Sequence, residues 1–141
     1  MTRTEVALEH VLTFTAYTTR PALVAGGPQG TRGVIAVTGG DFEGPRLRGT
    51  IAAPGGDWVT VRANGVMKLD VRLLLVTDDG TNILLAYSGI ATRHEAGMDI
   101  CSAPLFEAPE GEHAWLNDVQ CLGFGQLFDG GVTYEVYAVR G

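Results

Sequence analysis

Val66-Met67-Lys68-Leu69-Asp70-Val71-Arg72-Leu73-Leu74-Leu75-Val76-Thr77 decides the fold. Met67, Leu69, Val71, Leu73 and Leu75 fall on one face, and Lys68, Asp70, Arg72, Leu74 and Val76 on the other. That two-residue period is the signature of a β-strand, whose successive side chains point to opposite sides. A slip of one residue would exchange the two sets, so the register is firmly specified. The preceding run, 57–62, sets Trp58, Thr60 and Arg62 against Val59 and Val61. Asn64-Gly65 joins the two runs as a type I′ hairpin signal. Asp78-Asp79-Gly80 turns the chain again, and 81–93 returns as a strand. Residues 57–93 therefore read as a three-strand antiparallel meander.

The same period extends outward. In 6–16, Val6, Leu8, His10, Leu12, Phe14 and Ala16 share a face. Pro21, Gly26-Gly27-Pro28 and Gly30 mark 18–31 as a long connection. Strands follow at 32–38 and 46–52, punctuated by Gly39-Gly40, Gly44-Pro45 and Pro54-Gly55-Gly56. After a loop at 94–98, further strands fall at 99–106, 114–124 and 132–139. The reading gives about nine strands and no helix. A sheet of this size removes its unpaired edges by closing or by stacking, and long strands with tight hairpins favour closure. The expected fold is all-β: one domain over 1–141, a closed antiparallel barrel of about eight to nine strands.

Composition sets further bounds. The chain has 141 residues, with 20 Gly and 6 Pro to supply turns. It is 45% hydrophobic and only 18% charged, which excludes a disordered acidic tail. A net charge of −6 argues against nucleic-acid or anionic-membrane partners, whose binding draws on clustered basic charge. No apolar run approaches the ~18 residues of a membrane helix, and the N-terminus has no signal-like apolar core. A cytoplasmic protein is expected. Cys101 and Cys121 lack CxxC spacing and read as reduced, buried thiols. With no His pair at ligand spacing, no metal site is expected, and His94 and His113 read as solvated. Neither Ser88 nor Ser102 sits in a Gly-x-Ser-x-Gly elbow.

Lys68, Asp70 and Arg72 admit two readings. They form either a solvated outer face with weak cross-strand pairs or a polar stripe lining a barrel lumen. Arg62 follows the turn: a two-residue turn sets it opposite Met67, and a three-residue loop puts it on the Asp70/Arg72 face. His10, on an apolar face, reads as a hydrogen-bonded core or lumen histidine. Trp58, Trp115, Tyr87, Tyr134 and Phe106 suit either core or pocket, since buried Trp and Tyr need a partner for their polar tips.

Gly39-Gly-Asp-Phe-Glu-Gly-Pro-Arg-Leu-Arg-Gly49 resembles the opening signature of the family called domain of unknown function 3237. The resemblance continues through Gly55-Gly-Asp-Trp58, Arg62, Asp70-Val-Arg72, Thr77-Asp-Asp-Gly80, Tyr87 with Gly89, Pro104-Leu-Phe-Glu107 and Trp115-Leu-Asn117, over roughly 31–139. It implies a barrel similar to the allene-oxide-cyclase and calycin-like barrels. It also implies a polar pocket built from Trp58, Arg62, Asp70, Arg72, Trp115 and Asn117, which favours the lumen reading. Two departures stand out. Cys101-Ser102-Ala103 replaces the Arg-Thr-small run common before Pro104, and the first strand and the 18–31 loop match nothing specific.

On that reading the protein is an enzyme without a cofactor, a cyclase, isomerase or lyase for a small, largely apolar carbonyl or phenol. Asp70 would move a proton or position Arg72, while Arg72 and Arg62 would stabilise a developing oxyanion. Trp58, Tyr87, Trp115, Phe106 and His10 would shape the cavity, and Asn117 would orient a carbonyl. The partner is a small molecule, and a homodimer is compatible. A non-catalytic barrel that binds such a molecule is the alternative.

Overall fold

The computed structural model describes residues 2–140. Ten strands run β1 (Ala7–Thr18), β2 (Ala22–Gly27), β3 (Gly30–Glu43), β4 (Arg48–Val61), β5 (Met67–Thr77), β6 (Asn82–His94), β7 (Gly97–Ser102), β8 (Leu105–Glu107), β9 (Cys121–Phe128) and β10 (Gly131–Arg140). A 3₁₀ turn, Ala114–Asp118, lies between β8 and β9. Eight strands form a ring in the order β1-β10-β9-β7-β6-β5-β4-β3, every pair antiparallel, and β3 pairs directly with β1 to close it. β2 extends the wall beside the first half of β3, and β8 pairs with β6. The closed antiparallel barrel that the periodicity predicts is the fold of this chain.

Gly39-Gly40 does not break the chain. β3 runs through it, with a register shift between Val37 and Gly40. Gly40 sits opposite Ala16 of β1 with φ at +152°, and a Cβ there would run into the Thr15 carbonyl oxygen. The seam closes because this position carries no side chain.

Other boundaries differ for identifiable reasons. Residues 46–52 and 57–62 belong to one strand, β4, which carries a register shift between Ala52 and Gly56 around Pro54. Proline cannot donate to a ladder and is tolerated at such a bulge. Part of the expected 18–31 connection is β2, and the expected strand 99–106 divides into β7 and β8. The first part of 114–124 is the 3₁₀ turn rather than strand. The hairpin at Asn64-Gly65 uses a three-residue loop. The Gly65 N–H donates to the Arg62 carbonyl at 2.9 Å, as does the Arg62 N–H to the Val66 carbonyl. Gly65 has a φ of +88° while Asn64 stays negative, so the turn is not type I′.

The inside of the barrel is set by the alternation on β5. Leu69, Val71, Leu73 and Leu75 are buried, whereas Lys68, Asp70 and Arg72 are exposed. At one end Leu12, Leu75, Ile83, Leu85, Cys121, Val136 and Ala138 are fully buried, with Leu116 of the 3₁₀ turn in the same core. Each such aliphatic side chain contributes about 1.5–3 kcal/mol. This end is a solid plug, and the other end holds the space described below.

Gly40→Ala should lower stability by about 3 kcal/mol, because the added methyl meets backbone at a strained φ. The urea midpoint reads this out; a wild-type midpoint would show that the β1–β3 seam accepts a side chain.

Candidate functional site

Alternation on β4 places Asp57 and Val59 toward the barrel interior and Trp58 outside, where it is 44% exposed. Asp57 pairs in register with Val71 of β5, another inward residue. Its Oδ1 accepts the Asp70 backbone N–H at 3.0 Å, which fixes the carboxyl against the wall. From there it lines a cavity of about 80 Å³ with Val37, Leu69, Val71, Tyr87, Ile100 and Tyr134 among its neighbours. Burial pushes the Asp57 carboxyl up to about 6, outweighing the Asp70 N–H bond that favours the ionised form.

Two phenols share this space. The Tyr87 and Tyr134 ring centroids lie 5.0 Å apart, and Tyr134 stacks on Phe14 at 5.0 Å. Gly125 lies so close beneath the Tyr134 ring that a Cβ there would sit 2.8 Å from it. The Tyr134 hydroxyl is buried near the Tyr87 and Ser102 side chains but makes no hydrogen bond of good geometry with either. Burial, before any other influence, pushes the ionisation of both phenols to higher pH, and the nearby Asp57 charge adds to it. Both phenols therefore stay protonated and act as donors. A buried donor with no partner is costly, so the Tyr134 hydroxyl is the group here that a ligand would satisfy.

The cavity opens into a groove of about 470 Å³ at the rim, walled by Arg20, Leu23, Val61, Phe128 and Asp129. Thr18, Ile35, Val59, Met67 and Leu127 line both spaces. Leu23, Leu127 and Phe128 are 58%, 45% and 43% exposed, so the mouth is apolar.

Of the residues singled out in the sequence, Tyr87 and Tyr134 line this cavity. Asp70, Arg72 and Arg62 stand on the outer wall and do not line the lumen. The three-residue loop puts Arg62 on the Asp70/Arg72 face, but that face is turned to solvent. Trp58 shares it. His10 is exposed, its Nε2 2.9 Å from the Thr13 hydroxyl and its ring 5.6 Å from that of Tyr137. The bulge at Val11 is the cause. His10 pairs with Tyr137 and Leu12 with Val136, so the extra residue turns His10 away from Leu12, Phe14 and Ala16. Phe106 is buried in the core but does not line the cavity. Trp115 lies on the 3₁₀ turn under the Arg46 guanidinium, 4.0 Å away. Asn117 has a scaffold task, accepting the Ala108 N–H at 2.7 Å and donating to the Ala108 carbonyl at 2.9 Å.

Further expectations need correction. Cys101 is exposed while Cys121 is buried, both as free thiols. His94 is exposed and 2.8 Å from Asp99, but His113 is buried. Asp57 was legible: it is the acid that shares the Val59/Val61 face of its strand. No helix of the described residues is long and apolar enough to cross a membrane.

The family model described as "Protein of unknown function (DUF3237)" matches residues 6–139, which brings in the first strand as well. No curated protein matches the chain. A beta-barrel like protein from Acinetobacter baumannii AYE superposes with a TM-score of 0.90 at 26% identity, covering 99% of each chain. A conserved protein of unknown function from Rhodopseudomonas palustris gives 0.90 at 21% identity, over 98% of this chain and 100% of that one. An enzyme from Penicillium herquei shares the fold with a TM-score of 0.81 at 23% identity, over 99% of this chain and 98% of that one. With a match over nearly its whole length, the chain belongs to the DUF3237 family.

Proposed function

We propose that the barrel is an enzyme that moves a proton on a small, largely apolar carbonyl or phenolic compound, of cyclase, isomerase or lyase type, using its own side chains. The observation that carries this reading is Asp57, held in an apolar cavity with its carboxyl raised to about 6 beside an unpartnered Tyr134 hydroxyl. A base tuned toward neutral pH is what proton abstraction requires. Asp57 takes a proton from carbon or oxygen of the substrate. Tyr134, with Tyr87 beside it, donates to the oxygen on which negative charge develops. That pairing replaces the Asp70/Arg72 pair, which a substrate inside the barrel would not touch.

The dimensions restrict the substrate. A cavity of about 80 Å³ admits one functional group rather than a whole ligand, whose pockets are ~300–1,000 Å³. The reacting carbonyl or phenol enters beneath Tyr134, and the apolar body lies in the mouth groove of about 470 Å³. The barrel is shared with an enzyme from Penicillium herquei, but the catalytic reading rests on Asp57 and Tyr134, because a fold does not fix a function.

Exchange of carbon-bound hydrogen in D₂O tests this without the true substrate. With a panel of small aryl ketones and phenols, followed by mass spectrometry, the wild type should accelerate exchange. Asp57→Asn should slow it by roughly 10²-fold, and Tyr134→Phe by about the same. Arg72→Met, altered on the outer wall, should leave it unchanged. The rate should fall as pH drops through about 6, because the ionised carboxylate is the base. Equal rates for the wild type and Asp57→Asn would end the enzymatic reading, and saturable binding without exchange would replace it with a small-molecule carrier.

Stability should move the opposite way. Asp57 rises from 3.8 in the open chain to about 6 in the fold, so the fold bears the cost of its ionised form above pH 6 and none below 3.8. Asp57→Asn should therefore stabilise the protein at pH 8 by about 1–3 kcal/mol, a gain that fades between pH 6 and 4. Denaturant titrations at the two pH extremes check this. Destabilisation at pH 8 would mark Asp57 as a structural residue.

A further inference from the structure

A second group of chemically capable side chains lies at the plugged end, away from the cavity. Asp79, in the turn between β5 and β6, faces Glu112 and His113, which precede the 3₁₀ turn. One ligand atom from each lies within 4.8 Å of the others. The His113 side chain is only 9% exposed, and its Nε2 is buried without a hydrogen-bond partner. That nitrogen points between two carboxylates, 3.8 Å from Asp79 Oδ2 and 3.6 Å from Glu112 Oε1. Both distances are too long for hydrogen bonds. They approach the ~3.3 Å that separates ligand atoms around a metal ion with bonds of ~2.0–2.2 Å. The small contraction is available, because the Glu112 side chain is 72% exposed and free to swing toward the Asp79 and His113 atoms.

Asp79 is prepared for the task. Its Oδ1 accepts from the Thr77 hydroxyl and from the Thr81 N–H, which leaves Oδ2 turned to His113. Two cations border the recess, and both are engaged elsewhere: Arg48 pairs with Asp78 Oδ2 at 2.8 Å, and Arg46 lies over Trp115.

We infer that Asp79, Glu112 and His113 form a site for one borderline divalent metal ion, of the Zn²⁺ or Co²⁺ class. One imidazole nitrogen with two carboxylate oxygens suits such ions better than Mg²⁺ or Ca²⁺, which favour all-oxygen sets. Three protein ligands leave at least one position for water. The ion would tie the segment that carries Leu116 into the core to the β5–β6 turn, and so act as a clamp on the plug.

Chelator-stripped full-length protein titrated with Co²⁺ tests the site. One equivalent should bind and give visible d–d bands, without the thiolate charge-transfer band that Cys101 or Cys121 would add. Zn²⁺ in excess should raise the thermal midpoint by roughly 3–6 °C. Asp79→Asn and Glu112→Gln, both at exposed positions that leave folding intact, should each weaken binding by about tenfold or more. His113→Gln should abolish it. No spectral change on adding Co²⁺ would overturn the inference and leave His113 as a plain ionic partner of the two carboxylates. Undiminished binding in Asp79→Asn would overturn it equally.

Discussion

Direct pairing of β1 with β3 turns a long sheet into a ring, and everything else in the molecule depends on that closure. An open sheet would leave two long edges of unpaired N–H and C=O groups. It would also leave one apolar face with nothing to pack against. Once closed, the strands acquire an inside, and the apolar set on each becomes core without a second layer. The constraint is sharpest at Gly40 and Gly44, where β1 passes too close for any side chain.

Closure also decides which acid is chemical and which is decorative. Asp57 and Asp70 lie on neighbouring strands and are linked through a hydrogen bond, yet pleating sends them to opposite sides of the wall. Asp70 keeps its water. Asp57 has lost part of its hydration and carries the raised carboxyl that results. Placing Lys68, Asp70 and Arg72 together in the lumen would have stripped three charges of water, at a cost that leucines on the same strand avoid. The simple rule that the more apolar face turns inward was sufficient here. The family resemblance, which weighted the charged face toward a pocket, pointed the wrong way.

Much of the architecture was legible because β5 and β6 alternate without interruption. Legibility fails where one residue breaks the period. Val11 bulges out of β1 and reverses His10 relative to Leu12. Pro54 sits in a register shift that joins two apparent strands, and Gly40 marks a close approach rather than a turn. Composition alone does not distinguish these uses of Gly and Pro. Asp57 was accessible from the alternation of its own strand. Tyr134 reads from the sequence as a polar-tipped aromatic, but the setting of its unpartnered hydroxyl depends on how β1, β6, β9 and β10 meet. The convergence of Asp79 with Glu112 and His113 brings together groups far apart in the chain, which no local pattern encodes.

The uneven filling of the barrel divides labour along its axis. Leu12, Leu75, Ile83, Leu85, Leu116 and Val136 anchor the fold at one end, and none of them lines the cavity of Asp57 and Tyr134. Rim positions such as Leu23, Leu127 and Phe128 contribute little to that anchor, being largely exposed already. Substitutions there can accumulate with small penalties while the anchor holds the chain above its folding threshold. Such a scaffold is tolerant to innovation: descendants can retune what the entrance admits, one neutral exchange at a time, without re-inventing the interior that keeps them folded.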